Sequence, residues 1–299
     1  MKRCRILVLC GGGCAGVLGT HFLSMLPEEQ QNLNKIDVLS GCSIGGILAS
    51  AYAIGQKFST IDDVFQKRAK ECFTKRYTSK LNPLSCPTYR TDTIDAVMYD
   101  MMGDETVGDI KKHYPNLTYI VPTIDLTDDK YVVVENITGK YDAVKLKDVS
   151  GWTSAAPTYY AARNVNGHAY IDAGLVDVCS LITATTEIKK KFGIPFSEMQ
   201  VFMIGTGRDT DNGKLTEKYY NSLSLIGVAK EVVIPYVTRG NELFTRHLGM
   251  NIGYNYFEYF NPIVTGVALD NVAEIPTLVK EADKHKSEFL KEYNYWLSL

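Results

Sequence analysis

The chain has 299 residues, 45% of them hydrophobic and 22% charged, the balance of a globular protein with a sizeable core, which excludes an intrinsically disordered chain. A formal net charge of -2 leaves no basic footprint for a phosphate backbone, so nucleic acid is not an expected partner. The seven cysteines (Cys4, Cys10, Cys14, Cys42, Cys72, Cys86, Cys179) are odd in number, show no C-x-x-C spacing and sit mostly in apolar runs. They are expected to be reduced thiols, which points to a cytosolic setting.

Residues 5–10, rich in Ile, Leu and Val and ending in glycine, have the pattern of a strand buried on both faces, and residues 16–26 follow at helical period. Lys2, Arg3 and Arg5 precede a stretch, 6–26, without Asp, Glu, Lys or Arg, as a signal peptide would have. Against that, five glycines interrupt it, and its first unbroken apolar run, 6–10, is shorter than the roughly 7 to 15 residues of a secretory hydrophobic segment. No other stretch approaches the roughly 20 apolar residues that span a bilayer.

A second unit repeats the order, with a strand at 36–40, a turn at 41–43 and a small-residue helix at 44–54. Helices are expected at 59–71 and 93–102, separated by a proline-containing loop or lid at 78–91. Strands come next at 117–124 and 130–135, the latter with Val132, Val133 and Val134 in a β-branched cluster. Beyond residue 150 the pattern predicts short strands at 168–171 and 200–204, a helix at 181–192 and one long charged helix at 275–296. Strands alternating with helices imply an α/β domain with a mostly parallel sheet. No repeat or linker divides the chain, so one domain over 1–299 is expected.

Gly11, Gly13 and Gly16 fall at the G-x-G-x-x-G spacing after the first strand. A dinucleotide site would also need an acid at the end of the second strand to hold the ribose, but "IDVLSG" has Asp37 at its start and ends in Ser40-Gly41. The second strand leads instead into Gly41-x-Ser43-x-Gly45, the spacing of a nucleophile elbow, in which a serine on a sharp strand-to-helix turn points out of the sheet. The alternative for Ser43 is a simple helix cap. If both glycine motifs end neighbouring parallel strands, the N–H groups of Gly11, Gly12 and Gly13 face Ser43 and can receive an oxyanion. A side chain at Gly13 is then expected to crowd that oxygen.

With these motifs the chain resembles the patatin-like phospholipase family. The resemblance rests on the glycine loop Gly11 to Gly16, the elbow Gly41-x-Ser43-x-Gly45, and Asp172-Ala173-Gly174 within "YIDAGL", together with "TSAAPTYY" at 153–160 and "VFMIGTG" at 201–207. It covers residues 11–207. Cys10 and Ala15 stand where the family often has an acid and a cation, and Ala173 where glycine is commoner. Backbone donors are untouched by these departures, and only the cation's contribution to a phosphate headgroup falls away.

The resemblance implies a three-layer α/β/α fold and a Ser–Asp dyad without histidine, with Ser43 as nucleophile and Asp172 as proton acceptor. It also implies an oxyanion hole at Gly11, Gly12 and Gly13, no metal or cofactor, and hydrolysis of fatty-acyl esters of phospholipids or other lipids by a protein that touches membranes peripherally. Two alternatives stay open. One is a non-catalytic lipid- or partner-binding protein on the same fold, and the other a histidine-dependent esterase using a late residue such as His247. The five histidines show no metal-ligand spacing. Cys42 is either a reactive thiol or a small packing residue. Arg163 and Arg208 could meet an anionic headgroup or serve ordinary surface roles, and Phe289, Tyr293, Trp296 and Leu297 could pack the core or enter a membrane.

Overall fold

In the computed structural model, which describes residues 3–78, 87–209, 228, 233–264 and 269–299, β1 (Cys4–Leu9) runs through the middle of an eight-stranded sheet. On one side of it lies β2 (Val38–Gly41), and beyond that β3 (Thr118–Asp125), both parallel to β1. Past β3 the sheet turns antiparallel, with β4 (Lys130–Glu135) returning as a hairpin and β6 (His168–Ile171) pairing the end of β3 and then β5 (Arg163–Val165). On the other side of β1 lie β7 (Met199–Ile204) and β9 (Tyr256–Phe260), again parallel. A separate parallel pair joins β8 (Arg208–Asp209) to β10 (Ile263–Val264). The expected mostly parallel sheet is therefore present, with an antiparallel margin at β4, β5 and β6.

Successive strand residues face opposite sides, and both sides are buried. Leu7, Leu9, Leu39, Tyr119, Val121, Phe202 and Ile204 enter one core, while Ile6, Val8, Val38, Ile120, Val201 and Met203 enter the other. The first core is closed by α1 (Val17–Ser24), α2 (Ile44–Ala53), α3 (Phe58–Cys72), α4 (Thr91–Met102), the short α5 (Ile110–His113) and α6 (Leu146–Thr153). After the one-turn α7 (Gly174–Asp177), the second is closed by α8 (Leu181–Phe192) through Leu181, Ala184 and Ile188, with α9 (Ile234–Asn251) packed against α7, α8 and β9. These are the three layers.

The long C-terminal helix is two helices, α10 (Ile275–Lys284) and α11 (Lys286–Ser298), broken at His285. The break lets α10 lie on α1 while α11 turns along β7 and β9. Phe289, Tyr293 and Trp296 are fully buried there, with Trp296 Nε1–H donating to the Gln200 carbonyl at 3.1 Å, so these three aromatics pack the core. Of the 78–91 loop, residues 79–86 lie outside the described residues. Its end is tied down, with Thr88 and Tyr89 N–H donating to the Thr158 and Tyr159 carbonyls at 3.0 and 2.9 Å. Among the described residues no helix is long and apolar enough to cross a membrane. Six cysteines are buried without a disulfide, and Cys86 lies outside the described residues.

Candidate active site

Ser43 sits between β2 and α2 with φ 55 and ψ -126, a backbone conformation that a residue with a side chain adopts only when its surroundings enforce it. The enforcement comes from two glycines. A Cβ on Gly41 would overlap the carbonyl oxygen of Gly45, and a Cβ on Gly45 would overlap that of Leu9, so the turn closes only with glycine at both places. The Ser43 N–H donates to Thr153 Oγ1 at 3.1 Å, and the Thr153 hydroxyl donates onward to the Pro122 carbonyl at 2.8 Å. Thr153 ends α6 and opens "TSAAPTYY", which explains what that stretch contributes. The Ser43 side chain remains partly exposed at the N-terminus of α2, where the helix favours developing negative charge.

Asp172 comes directly after β6 and is buried, with its N–H donating to the Ala155 carbonyl at 3.1 Å. Its Oδ1 accepts the Gly174 N–H at 2.7 Å and the Cys42 thiol at 3.6 Å. Burial pushes the carboxyl up to about 6, against hydrogen bonds from Ser43, Gly174 N–H and Cys42 that favour the charged form. The structure thus brings together Ser43 and Asp172, which lie far apart in the chain. Burial, reinforced by the Asp172 charge, holds the Cys42 thiol well above its ordinary range, so it is a packed donor and not a reactive thiolate.

The glycine loop faces the same place, with a correction to its expected donors. The Gly11 N–H is already engaged by the Val178 carbonyl at 2.7 Å, whereas the N–H groups of half-exposed Gly12 and Gly13 meet no protein acceptor among the described residues. Gly11 contributes closeness instead, since a Cβ there would lie 3.1 Å from Ser43 Cβ. At Gly13 the expectation of crowding the acyl oxygen also changes. With φ +59, its Cβ would run into the Leu269 carbonyl, so a substitution would strain the loop itself. Gly16 packs against Ile44, at the first turn of α2. Thr206, in "VFMIGTG", donates to the Gly11 carbonyl at 3.1 Å and fills the space beside Gly12.

No histidine is bonded to Ser43 or Asp172 among the described residues. His21 bonds Asp62 and Asp283, His168 bonds Asp125 at 2.7 Å, and His113 and His285 pair with Glu105 and Glu288. Asp125, Asp128 and His168 gather donor atoms within 4.8 Å of one another, a grouping that spacing along the chain did not reveal because His168 lies on β6, about 40 residues after the β3–β4 turn that carries the two acids. Those atoms already serve an ion pair and a turn, with Thr127 N–H donating to Asp125 Oδ1 at 2.9 Å. Arg163 forms a two-pronged pair with Asp95 at 2.8 and 3.0 Å, and Arg208 Nε donates to the Asn261 carbonyl at 3.1 Å, so both arginines are engaged in holding the fold.

The sequence model of the patatin-like phospholipases matches residues 7–184, more than half of the chain and the span that holds the glycine loop, the elbow and Asp172. The chain belongs to the patatin-like phospholipase family. Among the relatives of this patatin-like chain, a cGAMP-activated phospholipase of Escherichia coli (strain TW11681) is 25% identical, over 91% of the chain and 85% of the relative. A cGAMP-activated phospholipase of Vibrio cholerae is 28% identical, over 81% and 76%. Among solved structures, VipD from Legionella pneumophila is similar at a TM-score of 0.47 and 13% identity, covering 94% of this chain and 67% of that one.

Proposed function

We propose that this patatin-like chain hydrolyses the fatty-acyl ester of a phospholipid by a Ser43–Asp172 dyad. The observation that carries the reading is the meeting, at one end of the parallel strands, of a partly exposed serine in an enforced elbow, a buried carboxyl beside it and the unengaged N–H groups of Gly12 and Gly13. In the first half-reaction Ser43 Oγ attacks the ester carbonyl as its proton passes to Asp172. The oxyanion forms against Gly12 and Gly13, each donor of this kind being worth about 3 kcal/mol in the transition state. Collapse breaks the ester C–O bond, and the departing lyso-lipid alkoxide takes the proton from Asp172. Water, losing a proton to Asp172, then attacks the acyl-serine, and Ser43 recovers its proton as the free fatty acid leaves.

An Asp raised to about 6 suits the work, since it is a better base than an ordinary carboxylate while still ionised at neutral pH. The reading places the protein in the cytosol, acting peripherally at a membrane, and draws on no metal or cofactor. The test is labelling by a fluorophosphonate with the modified residue located by mass spectrometry, alongside fatty-acid release from phospholipid vesicles. Because two relatives are named for activation by cGAMP, both assays are run with and without that cyclic dinucleotide. Labelling at Ser43, lost in Ser43→Ala, supports the reading. A folded protein that neither labels nor releases fatty acid under either condition gives way to the lipid-binding alternative.

A further inference from the structure

Residues 172–180 form a strap that touches each component of the candidate site. At its start, the Asp172 carboxyl faces Ser43. At Val178 its carbonyl oxygen accepts the Gly11 N–H at 2.7 Å, so the same strap holds the first residue of the glycine loop. At its end, Ser180, at φ 47, accepts a hydrogen bond from the Ser40 hydroxyl of β2 at 2.9 Å, three residues before Ser43. Asn241 of α9 braces it from outside, accepting the Val178 N–H at 3.0 Å and donating to the Val176 carbonyl.

The anchor in the middle is Asp177. It is buried, and its Oδ2 accepts the Tyr131 hydroxyl of β4 at 2.8 Å and the Thr183 hydroxyl from the first turn of α8. The Tyr131 and Thr183 oxygens lie 2.7 Å apart, and since each hydroxyl carries one proton, both spend it on the same Asp177 oxygen. A buried carboxylate is costly unless it is hydrogen-bonded, and two hydroxyl donors converging on Oδ2 hold Asp177 to β4 and α8. Asp177 makes no hydrogen bond to Ser43 or Asp172 among the described residues.

We infer that Asp177 is a positioning residue for the proposed hydrolysis: by clamping the strap to Tyr131 and Thr183, it sets the Asp172 carboxylate at a fixed distance from the glycine loop. That alignment puts the Gly12 and Gly13 donors opposite the carbonyl that Ser43 attacks. The inference rests on the proposed Ser43–Asp172 dyad. Misplacement of about 1 Å can cost on the order of 100-fold in rate, so a loosened strap lowers turnover while substrate binding stays.

The experiment compares wild type with Asp177→Ala, Asp177→Asn, Tyr131→Phe and Thr183→Val in kcat, KM, rate of fluorophosphonate labelling and melting temperature. In Asp177→Ala, kcat falls about 10- to 100-fold with KM within about twofold, and labelling slows by the same factor as kcat. Asp177→Asn keeps an oxygen that both hydroxyls can reach, and its kcat recovers to within about threefold of wild type. If Asp177→Ala fails to fold, Tyr131→Phe and Thr183→Val carry the prediction, each lowering kcat at unchanged KM. Folded Asp177→Ala with wild-type kcat, or a lowered melting temperature with kcat unchanged across the series, overturns the positioning role alone. A wild type that neither turns over nor labels overturns the hydrolase reading and this inference together, and shows itself without any variant.

Discussion

Gly45 packs its Cα directly against the carbonyl oxygen of Leu9, leaving no room for a methyl group between the elbow helix and β1. Gly41 stands in the same relation to the Gly45 carbonyl. Gly41→Ala and Gly45→Ala are therefore expected to destabilise the protein by about 1–3 kcal/mol or more, because the obstacle is backbone that cannot rotate away. Gly19 in α1 is the contrast, since its added Cβ would meet only Ile204 Cγ2 at 3.8 Å, an ordinary contact. Gly19→Ala should hold or raise stability, by up to about 1 kcal/mol from helix propensity. Thermal and urea unfolding of the three variants decides this, and a Gly45→Ala protein as stable as wild type would contradict the packing.

Asp172→Asn separates catalysis from folding. The asparagine keeps an oxygen for the Gly174 N–H but loses the basic site, so turnover should vanish. Stability should move the other way. The folded pKa of about 6 lies above an ordinary Asp near 3.9, so the ionised form is disfavoured in the folded state. That penalty is absent at low pH, grows as pH rises from about 4 to about 6, and is complete above, on the order of 2–3 kcal/mol. At pH 8 Asp172→Asn should melt at the same temperature as wild type or higher. In wild type, kcat/KM should fall as pH drops through about 6. Flat activity down to pH 4.5 would rule Asp172 out as the base.

His21 ties α1 to α3 and α10, bonding Asp62 at 2.9 Å and Asp283 at 3.3 Å. Burial opposes its charge, but the hydrogen bonds and charges of the two carboxylates outweigh that and hold its pKa above the ordinary value. A raised folded pKa stabilises fully below the unfolded value of about 6.5, and the contribution is lost as pH rises through the folded value. The melting temperature of His21→Gln should fall below wild type more at pH 5.5 than at pH 9, with kcat unchanged at either. An equal gap at the two pH values would show that His21 packs without linkage to its charge.

Trp296 closes the first core beside Phe202, with ring centroids 5.3 Å apart. Trp296→Ala should cost about 3–5 kcal/mol in chemical unfolding, the usual loss for a large buried aromatic. Binding to phospholipid vesicles should be unaffected in the folded fraction, because the ring points into the protein. Vesicle binding that disappears with the tryptophan while stability holds would return the tail to a membrane role.

The strands β1 to β4, β6 and β7 and the elbow at Ser43 could be read from the chain because each depends on neighbours in sequence, whereas the candidate base Asp172 followed only from the resemblance to the family. Apolar runs mark doubly buried strands, and glycine two residues either side of Ser43 answers a local collision. Other features depend on which strands become neighbours. That β7 lies beside β1 puts Thr206 under the glycine loop, and the strap after β6 takes the Gly11 N–H through Val178, whereas the Gly12 and Gly13 N–H groups meet no protein acceptor among the described residues. The same holds for Thr153 under the elbow, for His168 on Asp125, and for the division of the C-terminal helix at His285 between α1 and the sheet. A hydrogen bond is satisfied by whatever partner lies within about 3 Å, and for residues remote from one another in the chain only the folded backbone sets that distance.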